Sequence, residues 1–277
     1  MTRITVLIDN TPSREETSLR AEHGLSFYIE KEGKKILCDT GLTGAFMDNA
    51  ARMGIDLSAC DFTFISHGHN DHTGGLDKLL KSTEKVPVFM HGNIAGERYY
   101  SSRREEKRDI SCTCPFIGDY MERITFLRES KEIAEGIYAI GNIGGIHPRP
   151  AGNRFLTAMS EGKEYPDNFA HEMSLALTTK KGVVVISPCS HCGALNIMEE
   201  AMRITGCHKI AAFVGGLHFV EGEGCREEAL EFAGHVTLHY PETVICTGHC
   251  TCDTAKEVLA ANMKKIEFFS TGTVLEI

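Results

Sequence analysis

Ser66-His67-Gly68-His69-Asn70-Asp71-His72-Thr73-Gly74-Gly75 follows directly on the apolar run Phe62-Thr63-Phe64-Ile65. A short run of β-branched and aromatic residues reads as a buried strand, so the histidines sit on a loop held by a rigid element. Three imidazoles and a carboxylate within six residues are donors for a divalent metal: zinc, iron or manganese. A His-rich surface turn is the bland alternative, and clustering at a glycine-flanked strand end argues against it. Gly68, Gly74 and Gly75 give the backbone freedom that a tight ligand loop needs. The run supplies half a metal centre, so further ligands are expected from elsewhere in the chain.

Outward from this loop, strand-like runs alternate with helical patterns. Residues 25–31 and 35–38 flank Gly33 as a hairpin, and 1–9, 86–90, 124–127 and 137–140 read as further strands. Residues 174–178 and 183–187 straddle a Lys180-Lys181-Gly182 turn, and 209–214, 243–246, 266–269 and 273–277 complete the strand set. Apolar spacing predicts helices over 43–53, 74–81, 193–205, 225–234 and 253–263. Strands interleaved with helices in both halves predict an α/β protein of four layers, αββα, with two mixed sheets and helices outside. A single domain over 1–277 is expected, with loop insertions near 92–115 and 141–170.

The segment His67-x-His69-x-Asp71-His72 is similar to the signature of the metallo-β-lactamase superfamily. Cys38-Asp39-Thr40-Gly41 resembles that superfamily's early Asp-Thr-Gly element, whose aspartate supports the metal ligands. The resemblance spans nearly the whole chain: Glu22-His23-Gly24-Leu25-Ser26, the Asp39 element, the His cluster, Pro188-Cys189-Ser190-His191, Gly215-Gly216-Leu217-His218 and Thr247-Gly248-His249-Cys250-Thr251. That order resembles the branch of the dihydropterin ribofuranosylaminobenzene phosphate synthases of methanopterin biosynthesis. It implies a metallo-β-lactamase-type sandwich holding one or two divalent metals. His67 and His69 would serve one, and Asp71 and His72 a second together with His249. His191 or His171 would complete the first site, with His191 favoured. Asp71 would also act in catalysis by orienting water, and His218 would bind substrate or act as an acid. Cys189 stands where most superfamily members place a metal-bridging aspartate.

The chain has eleven cysteines and carries a formal charge of −9. Cys112, Cys114, Cys189, Cys192, Cys250 and Cys252 lie on three loops, two of them beside the expected ligands. A set of four drawn from these six would hold an iron–sulfur cluster, or a Cys-rich zinc site; independent buried thiols are the competing reading. Cys38, Cys60, Cys207, Cys225 and Cys246 read as strand or helix filler. An odd thiol count with no recognisable export signal points to a reducing, cytoplasmic setting. Acidic charge and the lack of a long apolar run argue against nucleic acid and membrane as partners.

Two functions follow. One is a metal-dependent hydrolase or related transferase acting on a small, phosphorylated substrate, for which Arg149 and Arg154 or the basic run Arg98–Arg108 would supply cations. The other is an iron–sulfur redox protein serving a partner protein in electron transfer, as in superfamily members resembling flavodiiron proteins.

Overall fold

The computed structural model describes residues 1–114, 117–222 and 224–277. The chain divides into two compact units: Met1–Arg128, Phe155–His171 and Ser270–Ile277 form the first, Glu129–Arg154 and Glu172–Phe269 the second.

In the first unit a seven-stranded mixed sheet runs in the order Val274–Glu276, Thr2–Ile8, Ser26–Lys31, Lys34–Cys38, Phe62–Phe64, Val88–His91, Ile124–Leu127. The hairpin at Gly33 forms as expected, pairing Lys31 with Lys34; Glu32 and Gly33 both take positive φ, 50° and 86°. That double left-handed turn matches the twist of the flanking strands. Helices Ala45–Arg52 and Leu76–Ser82 add Phe46, Ala50, Leu76, Leu79 and Leu80 to a buried cluster with Leu7, Leu37 and Ile65. Each leucine, isoleucine or phenylalanine side chain so taken from water contributes about 1.5–3 kcal/mol. Asn49 in the first helix fixes the Arg20 backbone to the sheet: its amide nitrogen donates to the carbonyls of Leu7 and Arg20, and its oxygen accepts from Arg20 N–H.

The second unit is built on another mixed seven-stranded sheet, ordered Ile266–Phe268, Val244–Thr247, Ile210–Gly215, Gly182–Ser187, Ser174–Thr179, Ile137–Ile140, Lys131–Ala134. Its strand Gly182–Ser187 is buried at every position, as befits a central strand covered on both faces. Helix Ala194–Thr205 packs against that strand, and helices Cys225–His239 and Asp253–Asn262 pack against each other.

The two stretches expected as loop insertions carry strands. Arg98–Ser101, Arg108–Asp109, Leu156–Ser160 and Lys163–Pro166 form a four-stranded antiparallel sheet in the first unit. Tyr99, inside it, is wholly buried. Pro115, at the end of the first stretch, lies outside the described residues. Among the described residues, no helix is long and apolar enough to cross a membrane.

Candidate metal centre

In the first unit, strands Lys34–Cys38 and Phe62–Phe64 run parallel with Cys38 opposite Phe64. Their carboxyl ends therefore leave the sheet together. Asp39 N–H donates to the Phe64 carbonyl at 2.9 Å, which sets the Asp39 side chain beside Ser66. Asp39 is fully buried and takes φ of 60°, a strained conformation for a non-glycine residue that its hydrogen bonds hold in place. Its Oδ1 accepts from Ser66 N–H at 2.7 Å, and its Oδ2 accepts from Ser66 Oγ–H and meets His72 Nδ1, both at 2.7 Å.

These contacts settle the protons. Ser66 has one hydroxyl proton and gives it to Asp39, so it can only accept at its other contact, His67 Nδ1 at 2.8 Å. His67 and His72 thus both carry their proton on Nδ1 and a lone pair on Nε2. That tautomer presents Nε2 as the ligating nitrogen, with Asp39 orienting the His72 ring directly and the His67 ring through Ser66. Donor atoms of Asp39, His67 and His72 all lie within 4.8 Å of one another. With both Asp39 oxygens engaged, its part is to position the two rings.

The three glycines of the loop are required by space. None of them has positive φ. A Cβ on Gly68 would stand 2.3 Å from the Tyr99 ring, one on Gly74 1.9 Å from the Leu42 carbonyl oxygen, and one on Gly75 2.4 Å from that of Thr40. The loop lies so close to the 40–42 segment that Thr40 N–H and Oγ1–H both donate to the His72 carbonyl. Gly24 does depend on its conformation, with φ of 141°, and lets Leu25 N–H reach the Asp71 carbonyl. The Asp71 carboxylate lies 3.4 Å from His23 Nε2 and 3.6 Å from His72 Nε2.

His171 is placed differently. Its Nδ1 accepts from Gly68 N–H at 3.1 Å, its Nε2 meets Asp167 at 3.1 Å, and its ring lies 4.1 Å from that of Tyr99. Nδ1 thus holds the histidine loop and Nε2 is held by Asp167, which suits a positioning residue; His69, Asp167 and His171 also bring donor atoms within 4.8 Å of one another. His69, also against His171, is pushed down to about 3 by burial and by His171, which keeps it neutral as a ligand must be. Burial alone would raise the Asp167 carboxyl, but the hydrogen bond from His171 brings it below the ordinary value.

In the second unit three parallel strands end in register: Ser187 is opposite Gly215, and Gly215 opposite Thr247. The loops that follow them therefore start at one edge of the sheet, bringing Cys189, His218 and Cys250 together with donor atoms within 4.8 Å. The His191 and His218 rings lie 4.1 Å apart. Gly216 makes room, since a Cβ there would meet Cys250 Sγ at 2.3 Å. Burial raises the Cys250 thiol, but hydrogen bonds with Cys189 and His218 and the charges of His249 and His218 draw it well below the usual thiol range. The buried Glu172 carboxylate accepts His191 N–H at 2.7 Å and Cys192 N–H at 2.6 Å, and Asn153 bonds both His191 Nδ1 and its carbonyl. Two sulfurs and imidazoles form a donor set for zinc or iron.

The remaining expected cysteines are placed otherwise. Cys114 belongs to the apolar cluster of the first unit and Cys112 packs against it, where burial raises its thiol. Cys252 Sγ lies 3.0 Å from Cys225 Sγ, so Cys225 is not the filler its sequence context suggests. Two cations of the basic stretch are paired within their own sheet, Arg98 with Asp109 and Lys107 with Glu164. Tyr99, Asp167 and Glu172 are site-supporting residues that sequence reasoning passed over. Glu172, a carboxylate directly beside the apolar strand that starts at Ser174, was the one detectable signal.

The sequence profile of the metallo-β-lactamase superfamily matches residues 19–137. The 7,8-dihydropterin-6-methyl-4-(β-D-ribofuranosyl)-aminobenzene-5'-phosphate synthase of Methanocaldococcus jannaschii is 29% identical over 275 residues, 92% of this chain and 90% of that protein. A crystal structure of a metal-dependent hydrolase of the β-lactamase superfamily superposes with a TM-score of 0.81 at 26% identity, covering 100% of this chain and 99% of the other. A diphosphatase of the PhnP family, 16% identical with a TM-score of 0.54 over 100% and 98% of the two chains, shares the fold. The expected fold class is therefore that of the chain. Flavorubredoxin of Enterobacter sp. matches only 28% of it, at 33% identity.

Proposed function

We propose that the chain is a metal-dependent hydrolase or related transferase of the metallo-β-lactamase superfamily, which it resembles in sequence and fold, acting on a small, phosphorylated substrate. The observation that carries this reading is the proton arrangement around Asp39: Ser66 and Asp39 fix His67 and His72 with lone pairs on Nε2. His67, His69, Asp71 and His72 are then the first unit's metal ligands, and His191 and His249 are assigned the same role as the family resemblance implies. A divalent cation held there would supply Lewis acidity toward an ester or phosphoryl group and toward water.

The chain's own residues do the rest. The Asp71 carboxylate is only 14% exposed and orients the attacking water while accepting its proton. His218 donates a hydrogen bond to the leaving group. For the phosphate we assign Arg154, which directly follows Asn153, the residue whose side chain bonds His191. The phosphorylated substrate class is supported by the name of the Methanocaldococcus jannaschii relative. Hydrolysis of bis(p-nitrophenyl) phosphate with added Zn²⁺, Mn²⁺ or Fe²⁺ tests the reading. Activity is expected with at least one ion and is expected to vanish in Asp71→Ala; turnover by Asp71→Ala at the parent rate would sink the assignment of Asp71.

A further inference from the structure

We propose that Cys225 and Cys252 form a reversible disulfide that clamps the starts of two helices beside the His249–Cys250 loop. Cys225 is the first residue of helix Cys225–His239, and Cys252 is the cap residue of helix Asp253–Asn262, its sulfur accepting Ala255 N–H at 3.4 Å. The two helices pack against each other, and the two sulfurs stand 3.0 Å apart. Cys225 is buried while Cys252 is partly exposed, so one thiol is open to a small oxidant and the other waits behind it. Neither belongs to the donor group of Cys189, His218 and Cys250. Cys252 is nonetheless joined to the loops that carry that group: its N–H donates to the Phe219 carbonyl, next to His218, and Cys250 is two residues upstream.

The oxidant is a low-molecular-weight disulfide. The Cys252 thiol loses its proton and attacks one oxidant sulfur, forming a mixed disulfide and releasing one small thiol. The Cys225 thiol then attacks Cys252 Sγ, displacing the second small thiol. Two protein thiols give up two electrons and two protons, and one oxidant disulfide becomes two thiols.

The full chain treated with oxidised glutathione, then alkylated and mapped by peptide mass, tests this. The expected product is a peptide pair joined through Cys225 and Cys252, two hydrogens lighter, carrying no glutathione and reverting with a dithiol. Cys225→Ser is expected to retain a single glutathione on Cys252. The cross-linked protein is expected to melt several degrees above the reduced form, with no such rise in Cys225→Ser. A stable glutathione adduct on Cys252 in the parent protein, a Cys189–Cys250 bridge formed in place of this one, or no reaction at either thiol would overturn the proposal. The readout is independent of metal loading and of catalysis, so it stands or falls separately from the proposed activity.

Discussion

The Asp39 carboxylate meets the His72 imidazole, Oδ2 to Nδ1, at 2.7 Å, with both side chains wholly buried. The same oxygen takes the Ser66 hydroxyl proton, and through Ser66 it sets the His67 tautomer too. One carboxylate therefore governs two prospective ligands without being one.

Asp39→Asn keeps the shape but replaces an acceptor with a donor facing groups that donate. Metal affinity is expected to fall about 10–100-fold, as for other residues that orient metal ligands. A competition titration against a chromophoric chelator measures it, and unchanged affinity would show that the His72 ring needs no such partner.

Much of this was legible beforehand. The Asp39 element and the histidine run stand out because their chemistry is local, and the long strands and helices show through their periodicity. The strands Arg98–Ser101 and Leu156–Ser160 escaped notice because they are short and polar, and their pairing joins segments far apart in sequence. Their role became visible only with Tyr99 buried against Gly68 and His171. Likewise the glycines of the loop read as turn formers, whereas close backbone approach is what excludes a side chain. The convergence of Cys189, His218 and Cys250 depends on strand register, which spacing along the chain does not encode.

Gly74→Ala places a methyl group 1.9 Å from the Leu42 carbonyl, against backbone that has no rotamer to change. A loss of at least about 2–3 kcal/mol is expected. Gly96→Ala, with nothing within 4 Å and no positive φ, is expected to be near neutral. Chemical denaturation of the two variants compares them directly; equal midpoints would refute the role of space.

His171→Gln is expected to lower stability by about 1–3 kcal/mol, since Gly68 N–H and Asp167 lose a well-placed partner. Metal stoichiometry, read by elemental analysis, is expected to stay at the parent value. Loss of one ion would return His171 to the ligand set.

Asp167 has a folded-state carboxyl pKa below its unfolded value, so its contribution is present above that unfolded value of about 3.9. It is lost as pH falls through the folded value. Stability of the parent chain is expected to drop with acid over that window, and Asp167→Asn to show a shallower slope. Parallel pH profiles of the two proteins would count against the pairing with His171.

The most direct test of the whole account is the metal and acid-labile sulfide content of anaerobically purified protein, set beside His67→Ala. A divalent metal without sulfide is expected, most of it lost in His67→Ala. A brown, sulfide-bearing protein whose metal survives His67→Ala would contradict it.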